Sequence, residues 1–418
     1  MSLHDDMLVM GDKAVAASRA LAKLSSRRKN NILEAMASEI EARRDSIKAE
    51  NAKDMEAGRK SGLSTALLDR LNLTDARIDG MVKGIRDLVV LKDPVGARIS
   101  KWVRPNGLEI LKVRVPLGVI AIIYESRPNV TADAAALCIK TSNAVILRGG
   151  SESIHSNLAI ADALQAGGKK KGLPDNSVQL VPTTDRDAIR ELVQMVGRVD
   201  LAIPRGGEGL INAVAEHARV PVIKHYKGVC HVYVDDTAKQ DDALKIIENA
   251  KCQRPGVCNA IEKVLVHEKI AAEFLPKMSA LLDTRNVELR GDDASRTIVS
   301  SMKTATQEDW TTEYLDLILT VKVVADVDAA IAHINSNGSH HSDAIITENE
   351  KAADKFTQEV DSATVYVNAS TRFTDGAEFG MGAEIGISTE KLHARGPMGL
   401  EELTTYKYVI HGNGQIRG

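Results

Sequence analysis

The chain has 418 residues, 44% of them hydrophobic and 27% charged, with a formal net charge of −3 and only 3% aromatic residues. That length gives room for two or three domains with cores of their own, and the near-neutral balance excludes the basic, ring-bearing footprint of a nucleic-acid binder. Cys138, Cys230, Cys252 and Cys258 are too few for a disulfide framework, and the last two stand outside zinc-knuckle or CxxC spacing, so no metal and a reducing, cytoplasmic setting are expected.

The opening stretch MSLHDDMLVMGDK carries acids where a secretory leader carries basic residues. Residues 12–90 read as helices, because Ile32, Leu33, Met36, Ile40 and Ile47 recur at helical spacing with charges on the opposite face. ISKWVRPNGLEILKVRVPLG then alternates about a Pro-Asn-Gly turn, a hairpin signal. The longest strongly apolar run, VPLGVIAIIY, is about half the length a membrane span needs. A soluble chain without membrane contact is expected.

From Gly118 short β-rich runs alternate with helical ones. The strands are GVIAIIYE, NAVILRGG, SVQLVPTT, VDLAIPRGG and VPVIKHY; the helices are VTADAAALCIKT, ESIHSNLAIADALQAG, DRDAIRELVQMVG and GEGLINAVAEHA. Strands without polar alternation, joined by helices, describe a parallel sheet covered on both faces. Its ligands are expected beyond the carboxyl ends of the strands. After about residue 228 a second α/β series follows, with EKVLVH, LILTVKVV, SDAIITEN and ATVYVN as strands. Residues 373–397 are irregular and Gly-rich, and TTYKYVIHG closes the chain as a strand. The β-like pieces at 99–117 and 401–411 belong to neither series and are expected to pair with each other or with another subunit.

Two strand-to-helix turns are rich in glycine and basic residues: Arg148, Gly149, Gly150 and Ser151 in the first, Arg205, Gly206 and Gly207 in the second. Backbone amides at helix N-termini suit a pyrophosphate, although neither turn is a strict GxGxxG and each reads equally as a plain turn. Arg148 and Ser151, rather than an acid, lead the first turn and favour NADP over NAD; Glu152 tempers that preference. Asn129, after Pro128, reads either as a helix cap or as an amide aimed at an oxyanion. Cys258, behind a Pro-Gly turn, is either a nucleophile or a small buried hydrophobe.

The stretches VPLGVIAIIYESRPNVTADAAALCIKTSNAVILRGGSE, IPRGGEGLI, VPVIKHYKGVCHVYVD, QRPGVCNAIE, TEYLDLILTVKVV and VNASTRFTDGAEFGMGAEIGISTEKLHARGPMGLEELTTYKY occur in that order. In them the chain resembles the aldehyde dehydrogenase superfamily over essentially its whole length. The resemblance implies an aldehyde-dehydrogenase-like α/β fold, with two Rossmann-like parallel-sheet domains plus a small β oligomerisation element. An NADP-binding domain would occupy 1–98 and 118–227, a catalytic domain 228–385, and the oligomerisation element 99–117 and 386–418. Cys258 falls at the family's catalytic cysteine and Asn129 at its oxyanion-hole asparagine. Arg148 falls near the basic residue at the cofactor ribose, and Glu313 at the acid that holds the nicotinamide ribose.

The activity implied is NADPH-dependent reduction of L-glutamyl 5-phosphate to L-glutamate 5-semialdehyde in proline biosynthesis, through a Cys258 thioester, with NADP(H) as cofactor. Hydrolytic relatives carry a water-activating glutamate where VIKHYKGVC offers Lys224 and His225, so phosphate rather than water is the expected acceptor in reverse. A CoA-acylating or hydrolytic semialdehyde dehydrogenase is the alternative. Arg254 could bind the substrate phosphate or be a surface arginine. Ser370, Thr371 and Arg372 could hold the amino-acid head group or form an ordinary turn. A homo-oligomer, dimer or tetramer, is expected, together with an association with the glutamate 5-kinase that makes the labile acyl phosphate.

Overall fold

A computed structural model describes residues 2–224 and 227–417. The chain divides into two compact units, one of residues 1–224, 380–386 and 398–418, the other of residues 225–379 and 387–397. The boundary thus falls a few residues before the position read from sequence, and the strands near 99–117 and 401–411 count with the first unit.

The first unit opens with five helices, α1 (Leu3–Leu21), α2 (Ser26–Ala42), α3 (Arg44–Lys60), α4 (Thr65–Leu71) and α5 (Asp75–Val90). Ser2 and Asp5 form a capping box on α1, and the hydroxyls of Ser25, Ser64 and Thr74 accept the first free amides of α2, α4 and α5. The periodic Ile32, Leu33, Met36 and Ile40 are fully buried, as the helical spacing requires. Next come β1 (Arg98–Val103) and β2 (Glu109–Pro116), antiparallel about a turn in which Gly107 has φ +86°.

The first parallel sheet comprises β3 (Val119–Tyr124), β4 (Ala144–Arg148), β5 (Val178–Leu180) and β6 (Leu201–Arg205), in the order β5-β4-β3-β6. Between them run α6 (Asn129–Lys140), α7 (Ile154–Lys169) and α8 (Asp187–Gln194), and α9 (Glu208–His217) follows β6. The order reverses direction at β3, which makes the crevice between β3 and β6 the switch point where such sheets take ligands. VPVIKHY does not add a fifth strand among its described residues: one bridge joins Ala202 to Val222, and Pro221 has no N–H to extend a ladder. His225 and Tyr226 lie outside the described residues.

The second unit holds a seven-stranded parallel sheet, β10-β9-β11-β8-β7-β12-β13. In chain order its elements are β7 (Cys230–Val234), α10 (Gln240–Cys252), β8 (Ile261–His267), α11 (Glu268–Asp283), β9 (Glu288–Gly291), α12 (Asp293–Ile298), β10 (Lys303–Thr304), β11 (Ile318–Val324), α13 (Val327–Asn337), β12 (Ser342–Ile346), α14 (Glu350–Glu359) and β13 (Thr364–Val367), with a short ladder of β14 (Ile387–Ser388) and β15 (Gly396–Pro397). Val232, Val264, Phe274, Met278 and Val321 sit among the buried residues of one core cluster. The last strand, β16 (Thr404–His411), returns to the first unit and pairs antiparallel with β2, so the two isolated β pieces form one three-stranded sheet.

The loop after β4 is anchored from behind. Asp54 of α3 is buried and accepts hydrogen bonds from the backbone amides of His155 (3.2 Å) and Ser156 (2.8 Å) and from the Ser156 hydroxyl (2.5 Å), all at the start of α7. Asp54→Ala strips these buried donors of their acceptor and is expected to cost about 3 kcal/mol, read as a lowered denaturation midpoint. A midpoint equal to wild type would show that water replaces the carboxylate without penalty.

Candidate active site

In the first unit a cavity of about 610 Å³ opens at the carboxyl ends of β3, β4 and β6, lined among others by Glu125, Arg148, Gly150, Ser151, Glu152 and Arg186. This is where the sheet's switch point places a ligand. Gly149 allows the close packing: a Cβ there would lie 2.0 Å from Asn157 Nδ2. Asn157 in turn donates to Ser153 and accepts from Thr131, and Thr131 pairs with the buried Tyr124 hydroxyl, so the turn rests on a buried polar chain.

Three residues of these turns do something other than the sequence implied. The Arg148 guanidinium is 6% exposed and donates to the carbonyls of Gly149, Thr184 and Asp185, tying β4 to the loop after β5. It is a brace, and its charge is largely committed to backbone. Glu152 accepts from the amide and hydroxyl of Ser126, whose backbone is left-handed (φ 45°). In the second turn Gly207 donates its amide to Glu125 Oε2 at 3.0 Å, so a carboxylate already occupies the position foreseen for a phosphate. Sequence reasoning missed Arg186 and Arg190, exposed residues lining the cavity at the start of α8; the signal was the TTDRDAIRE run after a strand.

Asn129 is the first residue of α6, and no side-chain hydrogen bond caps that helix, so the capping reading fails. Its Nδ2 donates to Asp133 Oδ2 one turn along, at 2.9 Å. An acceptor-only carboxylate there fixes which end of the amide faces it and leaves the second N–H of the same nitrogen pointing elsewhere. Burial raises the Asp133 carboxyl to about 6, opposed by the Asn129 hydrogen bond and the Arg205 charge.

In the second unit Cys258 lies in the loop from α10 to β8, at the amino end of the sheet. This differs from the carboxyl-end rule, because the loops that meet there are those entering β7, β8 and β11. Gly228 precedes β7, and a Cβ on it would lie 1.9 Å from the Cys258 carbonyl oxygen and 2.5 Å from its Cα. Cys230 donates its thiol to the same carbonyl at 3.2 Å, and burial pushes that thiol well up from its ordinary value, which makes it inert. No disulfide joins the four cysteines.

Asn259, beside the nucleophile candidate, holds the 370–374 loop. Its Nδ2 donates to the Thr374 carbonyl at 2.9 Å, its carbonyl accepts from Thr371 Oγ1 at 2.7 Å, and its Oδ1 accepts from the Arg372 guanidinium. Ser370 is buried and accepts the Arg372 amide. Thr371 thus ties this loop to the Cys258 loop, and the Ser370 hydroxyl stays within its own loop. Arg372 also donates to Gln253 at 2.8 Å. Burial and the neighbouring Arg254 charge lower the Arg372 guanidinium, and the Cys258 sulfur opposes them. Glu313 lies half-buried in the loop before β11, and Lys224 is half-buried at the end of the first unit's main segment.

The aldehyde dehydrogenase family matches residues 4–318. The chain is 55% identical over 417 residues to a gamma-glutamyl phosphate reductase of Halothermothrix orenii, covering 100% of both. It is similar to the crystal structure of gamma-glutamyl phosphate reductase from Thermotoga maritima, with a TM-score of 0.97, 48% identity, and coverage of 99% of this chain and 100% of that one. A glyceraldehyde-3-phosphate dehydrogenase of Methanocaldococcus jannaschii complexed with NADP shares the fold at a TM-score of 0.68 and 16% identity, covering 98% of this chain and 95% of that one.

The contact between residues 228 and 258 has no room for a methyl group. Gly228→Ala is expected to cost about 1–3 kcal/mol as an overpacking substitution and to change the alkylation rate of Cys258 by a small thiol reagent. A denaturation midpoint and an alkylation rate both equal to wild type would mean that the loop has slack.

Proposed function

The chain belongs to the aldehyde dehydrogenase family, and from that premise we propose that it catalyses the NADPH-dependent reduction of L-glutamyl 5-phosphate to L-glutamate 5-semialdehyde and phosphate, the second step of proline biosynthesis. The observation that carries the reading is the full-length likeness to gamma-glutamyl phosphate reductases. The loop built around Cys258 supports it, with Gly228 against its backbone and Arg372 bonded to Asn259 beside it.

In this reading the Cys258 thiolate attacks the acyl carbon, the C–O bond to phosphate breaks, and a thioester remains on the sulfur. Bound NADPH supplies the hydride that reduces this thioester. The resulting thiohemiacetal releases the aldehyde and returns the thiolate. Negative charge builds on the former carbonyl oxygen at each stage, and the donors assigned to it are the Asn129 amide and the Cys258 backbone N–H; one such donor supplies about 3 kcal/mol. Arg254 and Arg372 are the cations assigned to the leaving phosphate, which stabilises it as it gains charge.

The first unit's cavity suits a dinucleotide: it lies at the sheet's switch point, with Gly150 and Ser151 of the first turn in its wall. For NADP over NAD the groups proposed are Arg186 and Arg190, since Arg148 is bound to carbonyls. The β1–β2–β16 sheet exposes Trp102, Val103, Tyr406, Tyr408 and Ile410, which supports its use as a surface for a second copy of the chain. Among the described residues no helix is long and apolar enough to cross a membrane. Residence in the cytoplasm and association with glutamate 5-kinase belong to the same proposal.

Removing both arginines, Arg186→Ala with Arg190→Ala, should raise the KM for NADPH by roughly 10- to 100-fold, the value of a charge-assisted hydrogen bond or two, and leave the KM for NADH unchanged. Equal effects on both cofactors would assign the arginines to the shared part of the dinucleotide. In the oxidative direction, glutamate semialdehyde and NADP should give a burst of NADPH and then a steady rate that depends on inorganic phosphate, with arsenate as a substitute. Cys258→Ala should abolish burst and steady rate alike. A steady rate indifferent to phosphate would make water the acceptor and remove the acyl-phosphate reading.

A further inference from the structure

We propose that Glu262 and Lys263, adjacent buried charges on β8, are positioning residues that clamp the loop carrying Glu313 in the conformation its cofactor contact needs. The proposal rests on the reading that Glu313 takes the nicotinamide ribose. Both side chains are fully buried. Lys263 Nζ donates to the carbonyl of Thr312 at 2.8 Å, immediately before Glu313. Glu262 Oε1 accepts the backbone amide of Leu315 at 3.3 Å, two residues after it. The acid is thus bracketed by two hydrogen bonds from neighbouring residues of one strand.

The rest of the loop is consistent with a held conformation. Leu315 has φ 55°, a left-handed backbone uncommon for a bulky residue, and its side chain is 48% exposed. The backbone amide of this exposed leucine is held by Glu262. Tyr314, between them, lies with its ring 4.5 Å from Lys263 Nζ and 5.1 Å from the Arg290 guanidinium, and its hydroxyl donates to Asp309 at 2.5 Å. Lys251 of α10 pairs with the other oxygen of Glu262 at 2.9 Å, which leaves Oε1 for the loop.

Buried ion pairs of this kind seldom raise stability above that of apolar replacements, so their presence needs another use. Burial works against both charges, raising the Glu262 carboxyl and lowering the Lys263 amine. Valine or leucine at either position would suit the strand, as at Val264 and Leu265. Valine or leucine has no polar end group to meet a backbone carbonyl and a backbone amide on the two sides of one loop residue.

The test compares Lys263→Met, Glu262→Gln, Glu313→Ala and the Lys263→Met/Glu313→Ala double variant in the full chain. The readouts are NADPH affinity by nicotinamide fluorescence, steady-state KM and kcat, and the rate of Cys258 alkylation without cofactor. Lys263→Met is expected to weaken NADPH binding by about tenfold, a coupling within the range of residues in contact, and to leave alkylation unchanged. The double variant should be no weaker than Glu313→Ala alone, because the clamp acts only through that acid; a merely structural lysine would give additive losses. Leu315→Asn, which tolerates the left-handed backbone, should restore NADPH affinity to Glu262→Gln, and this pair serves if Lys263→Met does not fold. A Glu313→Ala effect without a Lys263→Met or Glu262→Gln effect, or additive losses, would overturn the clamp. Wild-type NADPH binding by Glu313→Ala would overturn the assignment of that acid and the clamp with it.

Discussion

The contact between Gly228 and Cys258 is the tightest constraint on the second unit's site. Two backbones lie against each other with no space for a Cβ, so the main chain from which the Cys258 side chain springs is fixed by backbone contact. The loop on its other side is fixed through Asn259, which uses its backbone carbonyl and both ends of its amide on residues 371–374. A nucleophile must be placed to within fractions of an ångström. Here that placement comes from a close backbone approach on one side and a saturated carboxamide on the other.

The same economy governs where charge sits. Arg148 and Glu152 at the first glycine-rich turn and Glu125 just after β3 look like ligand contacts, yet each is bound to protein: carbonyls for the arginine, Ser126 for one acid and the Gly207 amide for the other. Polar groups buried at a turn must be satisfied before any ligand arrives, and these residues satisfy one another's backbone. The exposed Arg186 and Arg190 line the same cavity without serving in this way.

Much of the fold was legible. Helical spacing marked α2, turn chemistry marked the β1–β2 hairpin, and apolar runs marked β3, β4, β6 and β8, because burial on two faces leaves a continuous signal in sequence. VPVIKHY was misread as a strand, since composition does not register that Pro221 interrupts a ladder. At the site, the resemblance pointed to Cys258 and Asn129, but Asp133, Asn259 and Gly228 were not legible. Their roles depend on distances between segments up to 115 residues apart, as with Asn259 and Thr374, and no local pattern encodes such distances. The bonds of the Ser370 and Thr371 hydroxyls were not legible for the same reason: a hydroxyl's presence is visible in sequence, and its direction is not.

The site's electrostatics follow from the placement of Cys258 at the amino end of its sheet. No helix begins within its own loop: α10 ends at Cys252 and β8 starts at Ile261, so that loop does not offer the positive end of a helix dipole, a common means of favouring a thiolate. Side-chain cations can take that part, and Arg372, held by Asn259 and Gln253, is one beside this loop among the described residues. On the proposed reading this arrangement serves two demands. A fixed cation favours the thiolate before substrate arrives, and the same positive field attracts an acyl phosphate whose leaving group is an anion. A neutral aldehyde gains from only the first of these. The electrostatics therefore favour the phosphorylated substrate on entry and favour inorganic phosphate as the partner that reopens the thioester in reverse.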